Sequence, residues 1–248
     1  MSRSLFDPLA DAYDAARPSY PAGLYDDLER LTRPLAGADV LEVGAGTGIS
    51  TRGLLERGAR VYAADHGEGM LRRLRSHPGA APAVVADAHA LPFRDAVADL
   101  VCYAQAWHWV RVPEAAAEVV RVLRPDGALA CWWNDESAGG QPWWEAQQAR
   151  LEAGNVGYSR GYRDNAYADQ LAQTGLFGPV QVAETTWSRE IDLETYLVWL
   201  SSKSYVAALG AGQPAFMAAE RASMAAAFPS GVVHESFRTT LYVAAPAG

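Results

Sequence analysis

Cysteine is scarce in this chain of 248 residues. Cys102 and Cys131 both sit in apolar, strand-like runs, so neither a disulfide framework nor a thiolate-rich metal site is available. Long apolar runs are missing as well. No stretch is long enough to cross a bilayer, and acids interrupt the opening MSRSLFDPLADAYD where a signal peptide would carry its apolar region. A soluble, cytoplasmic protein is the expectation. An excess of positive charge is also absent: the formal net charge is −8, and such a surface repels phosphate backbones, which makes nucleic acid a poor partner. The five histidines, His66, His77, His89, His108 and His234, follow neither H-E-x-x-H nor H-x-x-E-H, so no metal is expected. Internal repeats and low-complexity segments are lacking, apart from a general bias toward alanine.

Half of the residues are hydrophobic and a fifth are charged, enough for a substantial core in one large α/β domain or a core with a lid. Strand-like runs at Asp39–Val43, Arg60–Ala64, Ala83–Ala86, Ala98–Tyr103 and Gly127–Trp133 alternate with helical patterns at Ile49–Arg57, Gly69–Ser76 and Glu114–Leu123. That order predicts a parallel sheet with helices on both faces. The Arg124-Pro125-Asp126-Gly127 turn is read as stopping a helix and starting the next strand. Beyond Trp133 the alternation lapses. A helix is expected at Tyr167–Thr174, strands at Val180–Arg189 and Ser236–Ala244, and between them a helical block, Leu193–Phe228, broken at Gly210–Pro214. The chain is accordingly divided into an N-terminal arm (1–36), a cofactor-binding core (37–134), lid and substrate segments (135–175 and 190–232) and late strands (176–189 and 233–248).

The run Val40-Leu41-Glu42-Val43-Gly44-Ala45-Gly46-Thr47-Gly48 carries the most chemistry. A strand feeding a turn of small residues and then a helix lets a ligand approach the main chain, because glycine removes the Cβ that would block it. The spacing is G-x-G-x-G, and Ile49 stands where a dinucleotide fingerprint would place its last glycine. With the acid Glu42 just before the turn, able to meet an amino group and a cationic ligand, the segment points from NAD toward S-adenosylmethionine. Asp65 closes the second strand and can accept from both ribose hydroxyls, or simply cap the next helix. Asp87 ends the third strand, placed to accept from an adenine amino group, while the amide of Ala88 can donate to a ring nitrogen.

With VLEVGAGTG, VYAADHGEGML, DAHALPFRDAVADLV and VVRVLRPDGALACWWN in place, the chain resembles class I S-adenosylmethionine-dependent methyltransferases of the small-molecule type 11 group, ubiquinone/menaquinone-biosynthesis-like, over roughly Phe6–Asn134. The resemblance implies a Rossmann-like, seven-stranded, mostly parallel sheet with the last strand antiparallel, plus a helical lid. It implies cofactor contacts from the glycine turn (Gly44, Ala45, Gly46, Thr47, Gly48), Asp65, Asp87 and Ala88, and from Met70 in the second segment. His66 stands where an apolar or small residue is common in the group, and still allows ring stacking on adenine. The N-terminal arm also resembles the group, in which it closes over the cofactor. Arg17 can pair with a carboxylate and Tyr13 can cover the sulfonium, or both can belong to an ordinary amphipathic helix.

Tyr103-Ala104-Gln105-Ala106-Trp107-His108-Trp109-Val110 resembles the A-x-x-x-H-W segment of the trans-aconitate methyltransferase-like branch. Ala104 and Gln105 would then meet the methionine end of the cofactor. His108 is the candidate catalytic base, or else a structural plug between two tryptophans; a carboxylate nucleophile would need no base. Tyr20, Trp107, Trp109, Trp133 and Trp199 are the candidate substrate contacts. An aromatic roof extending to Trp132, Trp143, Trp144, Tyr158, Tyr162 and Tyr205 would exclude water, although such rings can equally be the lid's own core. The resemblance implies methyl transfer to a small molecule, with oxygen the first expectation for the accepting atom and nitrogen or carbon open. Alternatives are an enzyme using the bound sulfonium as a fixed cation in a cyclisation or rearrangement, and an NAD-dependent oxidoreductase, which Ile49 and the lack of a Tyr-x-x-x-Lys pair oppose.

Overall fold

A computed structural model of the chain describes residues 14, 16–158 and 166–247. Helix α1 (Ala22–Leu31) precedes strand β1 (Asp39–Val43), and α2 (Ile49–Glu56), β2 (Arg60–Asp65), α3 (Glu68–Arg75) and β3 (Ala83–Val85) follow. The chain continues through β4 (Ala98–Ala104), a 3-10 turn at Trp107–Trp109, α4 (Val112–Val122) and β5 (Leu123–Glu136). The last part holds α5 (Pro142–Gly154), α6 (Tyr167–Gln173), β6 (Gln181–Asp192), α7 (Leu193–Ser201), α8 (Ser204–Ala207), α9 (Gln213–Ala227) and β7 (Val232–Ala244). The seven strands form one sheet in the order β3-β2-β1-β4-β5-β7-β6. Strands β1 to β5 pair in parallel, and β7 runs antiparallel to both neighbours.

The near-continuous apolar character of β1, β4 and β5 follows from burial on both faces, as expected for parallel strands covered by helices. One face carries Leu41, Val43, Val101, Tyr103, Leu129, Cys131 and Trp133 against Ala115, Val119 and Val122 of α4 and Tyr167 and Leu171 of α6. The opposite face carries Val40, Leu100, Cys102, Ala130 and Trp132 against Leu24, Tyr25 and Leu28 of α1 and Leu54 of α2. A third cluster joins Leu151 of α5, Tyr196, Leu197, Trp199 and Leu200 of α7, and Phe216 and Met224 of α9 to Val233 and Phe237 of β7.

Several boundaries differ from the sequence reading. The Arg124–Gly127 stretch lies inside β5: Ala98 pairs with Leu123, Leu100 pairs with Ala128, and the residues between bulge out. Proline cannot donate to a ladder and is tolerated at such a bulge. Gly127 is required there, since a Cβ would stand 2.9 Å from Leu123 Cδ2 and 3.0 Å from the Arg124 carbonyl oxygen. Strands β6 and β7 are longer than expected because they pair with each other from Gln181↔Val243 to Asp192↔Val232. Their outer residues are polar, so periodicity alone understates the strands. The helical block breaks around Ser202 and Lys203 as well as near Gly210.

Candidate active site

The carboxyl ends of β1 and β4 meet at one cleft, where ligands of open α/β sheets bind; Asp65, at the end of β2, is not among its lining residues. Arg17, Tyr20, Glu42, Gly44, Ala45, Gly46, Thr47, Ile49, Ser50 and Ala104 line it. Strand alternation turns Glu42 to the same face as Val40, under α2, and leaves it fully buried. Thr51, in the first turn of α2, donates its hydroxyl to Glu42 Oε2 at 2.5 Å. Oε1 is buried with no hydrogen-bond partner. Burial pushes this carboxyl up to about 7, against the opposing pull of Thr51 and Ser50. A buried carboxylate oxygen without a partner, at the floor of an open cleft, is a built acceptor for a cationic group.

The glycine turn is folded by its surroundings as much as by its own sequence. Asp65, at the end of β2, accepts from the Gly46 amide at 2.8 Å through Oδ2 and from the Gly67 amide at 2.7 Å through Oδ1. The residue expected to receive a ribose therefore also shapes the turn, and each oxygen keeps a second lone pair for a ligand. Gly44 has φ +73, and a Cβ there would stand 2.4 Å from the Ala106 side chain, so the β4 loop closes directly over the turn. Gly48 ends the turn in the left-handed region as the residue before α2.

Other expected residues are placed more variously. Ala104 reaches the cleft, while Gln105, at φ +56, donates from its backbone amide to the Trp132 carbonyl and from Nε2 to the Asn134 carbonyl. Asp87 is exposed and binds the His89 amide and ring within its own loop, which holds its carboxyl below the usual range. Ala88 packs against the core cluster beside it, His66 is exposed 3.6 Å from Asp65, and Met70 is buried on α3. Tyr13 and Tyr162 lie outside the described residues. Tyr20, expected against substrate, lines the cleft beside Glu42 and meets Trp132 edge-on.

The aromatic residues divide into surface and core. Trp109 is 60% exposed and His108 is exposed, whereas Trp107 is fully buried and edge-on to Tyr103. Trp107 therefore serves as wall rather than as a contact surface, a correction to the sequence reading: its neighbours leave no ring face for a ligand. Trp133 is buried and stacked on Tyr167 at 3.8 Å. Trp199 is buried in the third cluster, with Lys203 Nζ 3.6 Å from its ring centre and Arg189 at 5.4 Å. The sequence reading missed Ser50 and Thr51, although Thr51 stands one helical turn beyond Thr47 and so faces back toward the turn. It also missed Asn134, which donates to the Ser19 carbonyl at 3.0 Å and ties the arm to β5.

One contact constrains the chemistry of His108. Trp133 Nε1–H donates to His108 Nδ1 at 3.1 Å. An indole nitrogen can only donate, so Nδ1 must accept and the neutral imidazole carries its proton on Nε2. That tautomer presents a hydrogen-bond donor, which runs against the expected base at this position.

A family model described as "Methyltransferase domain" matches residues 41–131, the span from β1 to β5. An uncharacterized methyltransferase of Mycobacterium tuberculosis is 35% identical over 202 residues, covering 81% of this chain and 76% of its own. The chain belongs to the methyltransferase family. A malonyl-[acyl-carrier protein] O-methyltransferase of Halorhodospira halophila is 35% identical over 156 residues, covering 59% of this methyltransferase and 50% of its own chain. A solved structure described as a type II methyltransferase from Anaeromyxobacter dehalogenans has the same fold, with TM-score 0.69 and 24% identity over 92% of this chain and 97% of that one. The methyltransferase uses S-adenosylmethionine, and its residues fit that cofactor. The buried, unpartnered Glu42 oxygen suits the ammonium group, Asp65 beside the turn suits a ribose, and Gly44–Thr47 open the main chain to the cleft. Among the described residues no helix is long and apolar enough to cross a membrane, and no cluster of His, Cys, Asp and Glu could hold a metal ion.

Proposed function

We propose that this methyltransferase methylates an oxygen of a small molecule, and that the acceptor is a carboxylate. The observation that carries the reading is the Trp133–His108 hydrogen bond. With Nδ1 occupied, His108 offers Nε2–H to an anionic oxygen and holds it, rather than removing a proton from a neutral hydroxyl. A carboxylate is ionised at neutral pH and presents a ready nucleophile. The bound cofactor supplies an electrophilic methyl group on a sulfonium. The protein's task is then placement and exclusion of water. Glu42 and Asp65 fix the donor side, Arg17 and Tyr20 close the cleft from the arm, and Trp109 offers an exposed ring face beside His108. Relatives named for O-methyl transfer to malonyl-[acyl-carrier protein] support a carboxyl acceptor.

The test uses methyl-labelled cofactor with panels of carboxylic acids, alcohols and amines. A labelled product that releases methanol in mild alkali is a methyl ester and supports the reading. An alkali-stable labelled product from an amine, a carbon acid or an alcohol refutes it. Turnover of an acceptor without label in the product would instead indicate cyclisation or rearrangement. His108→Gln keeps a donor, so it should retain at least about a tenth of the turnover, while His108→Ala loses about 100-fold. Equal losses in both variants, together with a fall in wild-type rate toward acid pH, would mark a base.

A further inference from the structure

The arm residue Asp14 has a role that the cleft alone does not reveal. Its side chain is 4% exposed, and three cationic or cation-capable groups converge on it. Arg52 Nη2, from α2, stands 3.2 Å from Oδ1. Arg73 Nε and His77 Nε2, from α3 and the loop after it, stand 3.1 and 3.0 Å from Oδ2. Burial pushes the Asp14 carboxyl up, yet Thr47, Arg52 and His77 outweigh it and hold the group below its usual range. Arg52 also donates through Nη1 to the Thr47 carbonyl at 3.3 Å, so one guanidinium joins the arm to the glycine turn. The opposite end of the same segment is held where Asn134 donates to the Ser19 carbonyl. Arg17 and Tyr20, which line the cofactor cleft, belong to the stretch between Asp14 and α1.

We infer that Asp14 is a positioning residue for cofactor binding: through Arg52, Arg73 and His77 it seats the 16–21 segment over the cleft and sets how long the cofactor stays. Replacing Asp14 removes three charge-assisted contacts at once, each to a group 21–38% exposed and partly screened by solvent. Here the cost falls on a segment whose release uncovers the cleft, so it is read out in dissociation of the ligand. Changes at one interface act mostly through the dissociation rate. Asp14 touches no reacting atom in this arrangement, and its effect passes through Arg17 and Tyr20.

The experiment measures dissociation of S-adenosylhomocysteine by stopped-flow tryptophan fluorescence, using the full chain. Asp14→Asn should release the ligand about tenfold faster than wild type, and Asp14→Glu, which keeps the charge, should stay within about threefold. Arg52→Gln breaks one of the same contacts, so the combined effect in Asp14→Asn/Arg52→Gln should be smaller than the product of the two single effects. If Asp14→Asn does not fold, His77→Gln removes one partner and leaves both arginines, and should speed release about twofold to threefold. A folded Asp14→Asn with wild-type dissociation overturns the inference. So does multiplication of the two single effects in the double variant, and so does a general loss of thermal stability with an unchanged ligand-dissociation rate.

Discussion

Replacing Glu42 with glutamine should make the empty protein more stable and the cofactor weaker, two effects of opposite sign from one oxygen. Glu42 is fully buried, its Oε1 has no partner, and burial pushes its carboxyl up to about 7 from an ordinary 4.5. A folded-state value raised above the unfolded one means that the folded protein favours the protonated acid. The empty protein therefore gains stability as pH falls from about 7 toward 4.5, and pays an ionisation cost above 7. The shift corresponds to at most about 3.5 kcal/mol at pH 8, at about 1.4 kcal/mol per unit. Glu42→Gln removes that cost while its amide oxygen still accepts from Thr51. At pH 8 the melting temperature of the empty variant should rise by about 5–10 °C, and at pH 5 it should match wild type. The cofactor's ammonium loses a charge-assisted partner, so S-adenosylhomocysteine should bind roughly 10- to 100-fold more weakly at pH 8. In wild type, affinity should fall about tenfold between pH 8 and pH 6, because only about a tenth of the carboxyls are ionised at pH 6 before binding. Binding near pH 6.5 should then release a proton, visible in calorimetry as a heat that depends on the buffer. A variant that is less stable than wild type at pH 8, or a wild-type affinity that is flat from pH 6 to 8, would refute the reasoning.

Asp65→Ala removes the acceptor of the Gly46 and Gly67 amides, so calorimetry should show S-adenosylhomocysteine binding weaker by about 1–3 kcal/mol, with a lower melting temperature. An effect on binding with no change in stability would separate the ribose role from the shaping of the turn. Gly44→Ala forces a side chain into the Ala106 contact at a positive φ, and should give a folded protein that has lost cofactor affinity by tenfold or more, measured by equilibrium dialysis. Trp133→Phe keeps the stacking on Tyr167 but removes the indole donor from His108 Nδ1; nitrogen NMR shifts of His108 should move from the Nε2–H tautomer toward a mixture, and an unchanged spectrum would contradict the assigned hydrogen bond.

The parts of the site that were legible in the sequence are those whose meaning is local. The glycine turn, Glu42 before it and Asp65 seventeen residues beyond Gly48 follow from strand ends and turn chemistry, and all lie at the carboxyl edge of the sheet. The helices at α2, α3, α4 and α6 were read to within two or three residues of where they stand, because their apolar spacing is carried by neighbours three and four apart. The late strands were underestimated, since one face of β6 and β7 is exposed and their length is set by pairing with each other.

Burial and pairing were decided by the tertiary structure. Trp107 and Trp109 stand two residues apart in a similar local sequence, yet one is wall and the other surface, because the 3-10 turn carries Trp107 into the core under Tyr103. The tautomer of His108 depends on Trp133, twenty-five residues away on the neighbouring strand. Asp14 reads in the sequence as one acid among many, and only the approach of α2 and α3 surrounds it with Arg52, Arg73 and His77. The sequence by itself determined the parallel part of the sheet, the cofactor class and the acids at the ends of its strands, since these rest on residue type and short spacing. How Glu42 is buried, what donates to His108 and how the arm is fastened were decided by contacts between distant segments, where burial and fixed partners outweigh the intrinsic chemistry of a side chain.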